Sequence, residues 1–215
     1  MNLLRELRYA RTSGKARARF EELKGRQNLK VHLGCGRDIR RGWVNVDLGV
    51  RGRYTALEVG TVVIESDLRR GLPLPRDSCE LIYSSHFLEH LEYEHGVRLM
   101  EDCHRALKPG GCFRAALPDL RALFRAYLEG DEAYFELLKP LLATVLDPRS
   151  LTLVDYVNYG VYQFGEHKYI YDEVKLGAVL ERTGFANVRS AAFDGRWDVD
   201  TPERRHYSFY VEAFK

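Results

Sequence analysis

The chain has no apolar run approaching the roughly 18 residues a membrane-spanning helix needs, and its basic N-terminus lacks the apolar stretch of a signal peptide. A soluble, unprocessed protein is the expectation. Cysteine is scarce and scattered: Cys35, Cys79, Cys103 and Cys112 make no Cys-x-x-Cys pair and no zinc-ligand spacing. That excludes a disulfide framework and fits reduced thiols in a cytoplasmic protein. There is no internal repeat and no low-complexity tract. The third glycine of the dinucleotide fingerprint is also missing, because Ile39 stands where Gly34-x-Gly36-x-x-Gly would place it, which disfavours a NAD enzyme.

What is present suits one substantial core: 215 residues, 45% of them hydrophobic. The net charge of +2 hides an asymmetry. Residues 1–30 hold nine Lys/Arg against Glu6, Glu21 and Glu22, so +6 falls there and −4 on the remainder. Residues 1–28 read as a basic helical arm. It either docks Leu3, Leu4, Leu7 and Phe20 on the body or offers a weak contact to a membrane surface or nucleic acid.

From residue 29, short apolar runs alternate with amphipathic stretches, the pattern of a largely parallel sheet interleaved with helices. Strands are predicted at 29–33, 43–48, 61–65, 79–84, 112–117, 186–193 and 207–214. Helices are predicted at 94–107, stopped by Lys108-Pro109-Gly110-Gly111, and at 172–183. Residues 119–165 break the rhythm as a mostly helical insertion, and 194–206 reads as a polar loop. Gly34-Cys35-Gly36 ends the first strand, and about eleven residues later Asp47 ends the second. Glycines there let the backbone turn close to a ligand, and a carboxylate there can hold ribose hydroxyls. Only about nine residues join these two strands, short of the dozen or more of a helical crossover. The connecting helix must be short or missing.

These residues resemble the class I S-adenosylmethionine-dependent methyltransferases, and within them a small bacterial branch. The matching pieces are Leu33-Gly34-Cys35-Gly36, Gly42-Trp43-Val44-Asn45-Val46-Asp47, Ser66-Asp67-Leu68, Phe87-Leu88-Glu89-His90-Leu91 and Leu107-Lys108-Pro109-Gly110-Gly111. The resemblance covers 29–118 strongly and 165–215 loosely. It implies a Rossmann-like α/β fold with a mostly parallel seven-stranded sheet, an antiparallel last strand, and residues 119–165 as a helical lid. It implies S-adenosylmethionine as cofactor, with Gly34, Cys35 and Gly36 under its methionine and ribose, where a Cβ at either glycine would intrude. Asp47 and Leu48 would then lie at the ribose, Asp67 and Leu68 at the adenine, and Ser84 and His86 near the methyl group.

Methyl transfer to a hydroxyl needs alignment and an acceptor for the proton. His86, Glu89, His90, Asp119 and His167 qualify by position, with His86, Asp119 and His167 as the catalytic candidates and a helix cap the alternative for Asp119. No metal is expected, since His86 and His90 lack the His-Glu-x-x-His order. The tyrosines from Tyr156 to Tyr171, with Arg204, Arg205 and His206, suit a ring-bearing, saccharide or anionic acceptor. The leading reading is a methyltransferase acting on a small molecule or saccharide, with oxygen preferred. Nucleic acid is disfavoured, since no Asn-Pro-Pro-Tyr-like motif follows the fourth strand. The alternatives are an RNA methyltransferase using the basic arm and a non-catalytic S-adenosylmethionine-binding protein.

Overall fold

The computed structural model describes residues 14–49 and 60–215. A helix over 14–21 (α1) turns Ala16 and Phe20 inward, and Leu23 follows on the same side. This i, i+4, i+7 spacing places all three on one face. Leu3, Leu4 and Leu7 lie outside the described residues.

The strands β1 (Leu29–Leu33), β2 (Val44–Asp47), β3 (Val62–Glu65) and β4 (Cys79–Ser85) come next, followed by α2 (Tyr93–Ala106) and β5 (Leu107–Pro118). The insertion holds α3 (Leu120–Glu129), α4 (Lys139–Leu142) and α5 (Leu153–Tyr162). The chain closes with α6 (Glu173–Arg182), β6 (Ala186–Ala191), α7 (Pro202–Tyr207) and β7 (Ser208–Phe214). One seven-stranded sheet has the order β3-β2-β1-β4-β5-β7-β6, and only β7 runs antiparallel to its neighbours. Strand order reverses between β1 and β4, the place where open α/β sheets bind ligands. Because Leu33 lies beside Ser84 in that pairing, the loops that start at Gly34 and His86 leave the sheet side by side.

The β1–β2 connection has no helix, and Asn45 explains how it holds. This fully buried side chain accepts the Arg40 amide at 2.8 Å and donates to the carbonyls of Arg40, Trp43 and Val62 at 3.0–3.2 Å. One amide thus satisfies backbone groups that a helix would have satisfied internally. The Arg40 guanidinium stacks 4.1 Å from the Tyr83 ring centre.

Two local readings are corrected. β5 begins at Leu107, not Cys112, because Leu107 pairs with Cys79 and Cys112 with Leu81, leaving Lys108–Gly111 as a bulge. Residues 202–207 are helical and not loop, because Thr201 caps α7 through the Arg204 amide and Pro202 opens it. The insertion packs its own small core of Leu123, Ala126, Phe135, Leu138, Leu142 and Tyr156, with Tyr207 added from α7. Among the described residues no helix is long and apolar enough to cross a membrane.

Candidate active site

The site lies at the carboxyl ends of β1, β2, β4 and β5. Past β1, Gly34 and Gly36 both adopt left-handed backbone, with φ of 62° and 53°, which side chains resist. The Asp47 carboxylate, at the end of β2, ties this turn down. One oxygen accepts the Gly36 amide at 2.9 Å and the other the Gly49 amide at 3.0 Å. Leu48 beside it is 36% exposed, an apolar surface next to the carboxylate. A Cβ at Gly36 would meet nothing within 4 Å, so this glycine borders open space that a ligand can enter.

Gly34 has a different reason. The expectation was that a Cβ there would meet the cofactor, but it would strike the Phe87 ring at 2.2 Å. The glycine serves packing between the β1 and β4 loops. Gly34→Ala is therefore expected to destabilise by about 1–3 kcal/mol through overpacking and left-handed strain. Gly36→Ala, with strain alone, should lose less. Thermal unfolding of both variants checks the order.

Four other predicted residues sit less openly than expected. Cys35 is buried, and burial pushes its thiol up to about 12, so only its backbone faces the loop's outer side. Leu68 is 4% exposed and belongs to the main core. Asp67 is held by Arg69, accepting its amide at 3.1 Å and its guanidinium at 2.8 and 2.7 Å, so it acts as the cap of the Leu68–Arg70 turn. Ser84 is buried, and its hydroxyl has no hydrogen-bond partner among the described residues.

Beyond this loop, the insertion and α7 enclose a cavity of about 400 Å³. His86, His90, Asp119 and His167 all line it, though up to 81 residues separate them in sequence. His86 has φ of 45°, a strained turn held by its amide, which donates to the Ala116 carbonyl at 2.8 Å. Its Nε2 lies 2.7 Å from Ser208 Oγ and its Nδ1 3.6 Å from Glu89 Oε1. Burial, with the nearby Arg204 cation, holds the imidazole well below its ordinary pKa, so it is uncharged at neutral pH. Burial also lowers His90 and His167 and raises Glu89 to about 8. Asp119 accepts the Ala122 amide at 3.0 Å and so caps α3, the plainer of its two expected roles, while still reaching the cavity wall.

Sequence reasoning missed Tyr134, Gln163 and Ser208. The first two line the cavity and the third touches His86, but no local motif marks any of them. Tyr159, Arg204 and Tyr207 complete much of the wall. Arg204 is half-buried and its guanidinium makes no ion pair or hydrogen bond among the described residues.

Residues 31–115 match the family model described as a methyltransferase domain. Similar solved structures include a methyltransferase dependent on S-adenosylmethionine (SAM) from Archaeoglobus fulgidus, at 19% identity and TM-score 0.52, covering 98% of this chain and 94% of that one. Another, from Mesorhizobium loti, gives 20% identity and TM-score 0.52 over 91% and 95%. Human N-acetylserotonin methyltransferase in complex with SAM gives 12% identity and TM-score 0.53 over 87% of this chain and 47% of that one. No curated protein sequence matched. The domain match lies on the strands that carry Gly34–Gly36 and Asp47, so residues 31–115 resemble a methyltransferase domain and the chain has the fold of the S-adenosylmethionine-dependent methyltransferases it is similar to.

Proposed function

We propose that the protein methylates a hydroxyl of a small molecule or saccharide, held in the cavity beneath the insertion. The observation that carries this reading is the cavity itself: about 400 Å³, aromatic and histidine-lined, a size suited to a small ligand, with His86 of its wall next in sequence to Phe87, the residue that packs on Gly34. S-adenosylmethionine supplies an electrophilic methyl group when bound. Gly34–Gly36, Asp47 and Leu48 would hold it, with Asp67 and Ser84 at its margins. Tyr134, Tyr159 and Tyr207 offer ring faces to the acceptor, and Arg204 offers a charge for an anionic group on it. His86 is uncharged and takes the hydroxyl proton at an imidazole nitrogen. Asp119 and His167 border the same space, His167 as a positioning group.

The test is transfer of a labelled methyl group to a panel of hydroxylated small molecules, saccharides, amines and RNA. Labelled oxygen ethers are expected, and His86→Gln should lower kcat about 10²–10⁴-fold with cofactor affinity retained. Label recovered only in RNA would overturn the reading.

A further inference from the structure

Glu89, His90 and His167 bring one ligand atom each to within 4.8 Å of one another on the cavity wall. We infer that these three side chains form a binding site for a divalent transition-metal ion, with its open coordination positions turned toward the cavity.

Four observations support the inference. Glu89 is 1% exposed, and neither of its carboxylate oxygens has a hydrogen-bond partner among the described residues. A buried carboxyl left this way is costly, and a cation resolves the cost. His167 donates its Nδ1–H to the Gly160 carbonyl at 2.9 Å, which fixes the ring and leaves Nε2 with its lone pair free. Metal-ligating histidines are oriented by this kind of second hydrogen bond. The backbone is also clamped, because the amides of Lys168 and Tyr169 both donate to the Glu89 carbonyl, at 2.7 and 3.2 Å. Two segments 77 residues apart, from His90 to His167, are thereby locked together at the cluster. Finally, His90 and His167 face the cavity, so a bound ion would present free positions to an acceptor oxygen.

Two imidazoles and one carboxylate suit zinc, manganese, iron, cobalt or nickel better than magnesium or calcium, which prefer all-oxygen sites. Donors at about 2.0–2.2 Å around a tetrahedral ion stand about 3.4 Å apart. The rings and carboxylate therefore close by up to about 1.4 Å on loading. The Arg204 and Lys168 cations nearby oppose the ion, and Glu166 favours it.

The experiment uses untagged full-length protein, stripped with chelator and dialysed. Zn²⁺ is titrated by calorimetry, and Co²⁺ is followed by its visible ligand-field absorption. One ion per chain is expected, with affinity lost about 100-fold or more in His167→Ala and unchanged in His206→Ala, which lies outside the cluster. Should His167→Ala fail to fold, Glu89→Gln keeps the shape and should abolish the Co²⁺ band. No stoichiometric binding by the native chain, or unaltered binding in both Glu89 and His167 variants, overturns the site. Because the readout is metal alone, failure here leaves the acceptor reading of the cavity standing, and the reverse.

Discussion

Replacing Asp198 by alanine is expected to cost about 3–5 kcal/mol of folding stability, measured as a drop in the urea midpoint at constant slope. Arg114 on β5 is 2% exposed, and Asp198 takes its guanidinium at two points, with Nε to Oδ1 at 2.8 Å. Glu212 on β7 accepts a third bond at 2.8 Å and the Ala192 carbonyl a fourth at 2.7 Å. Truncating Asp198 leaves a buried cation half-partnered, and that residual charge accounts for most of the loss. The same carboxylate accepts the Asp194 amide at 2.7 Å, so it also shapes the loop from 194 to 201. Val199 and Thr201 of that loop line the cavity. Asp198→Ala should therefore weaken acceptor binding as well as folding. A variant within 1 kcal/mol of the native protein would show that the pair carries little.

Asp47→Ala should weaken S-adenosylmethionine binding about 10–100-fold by calorimetry. The carboxylate makes two charge-assisted bonds, to the Gly36 and Gly49 amides. Hydrogen bonds to charged groups contribute about 1.5–3 kcal/mol each. Losing them frees the left-handed turn at Gly34–Gly36 and removes the group proposed to hold the ribose. The folding midpoint should move far less than the affinity, because Asp47 is at the carboxyl end of its strand and half-exposed. Binding within twofold of native would place the cofactor contacts elsewhere.

Much of this protein is written locally. Strand periodicity and glycine turns gave β1 to the residue and the remaining strands within a few residues, apart from β5. There a four-residue bulge with proline and glycine reads as a helix stop, and pairing with Cys79 overrides it. The proposed cofactor end was legible for the same reason: Gly34, Gly36 and Asp47 sit in a turn and at a strand end set by backbone geometry on adjacent strands, and adjacency follows from the fold. Gly34 shows where that logic stops. Its left-handed φ was foreseeable, but Phe87 above it was not, since that contact depends on β1 and β4 lying together.

The cavity beneath the insertion, the proposed acceptor end, is a product of folding alone. His86, His167 and Arg204 lie on the β4 loop, the exit of the insertion and a helix before the last strand, and sequence spacing says nothing about their distances. By itself the sequence determined an alternating α/β chain, its glycine turn and its carboxylate, because each rests on interactions between near neighbours. Only the tertiary structure decided that Glu89, in sequence one of five base candidates, is a buried carboxyl facing two histidines, because burial and partnership are set by segments that meet only once the chain has folded.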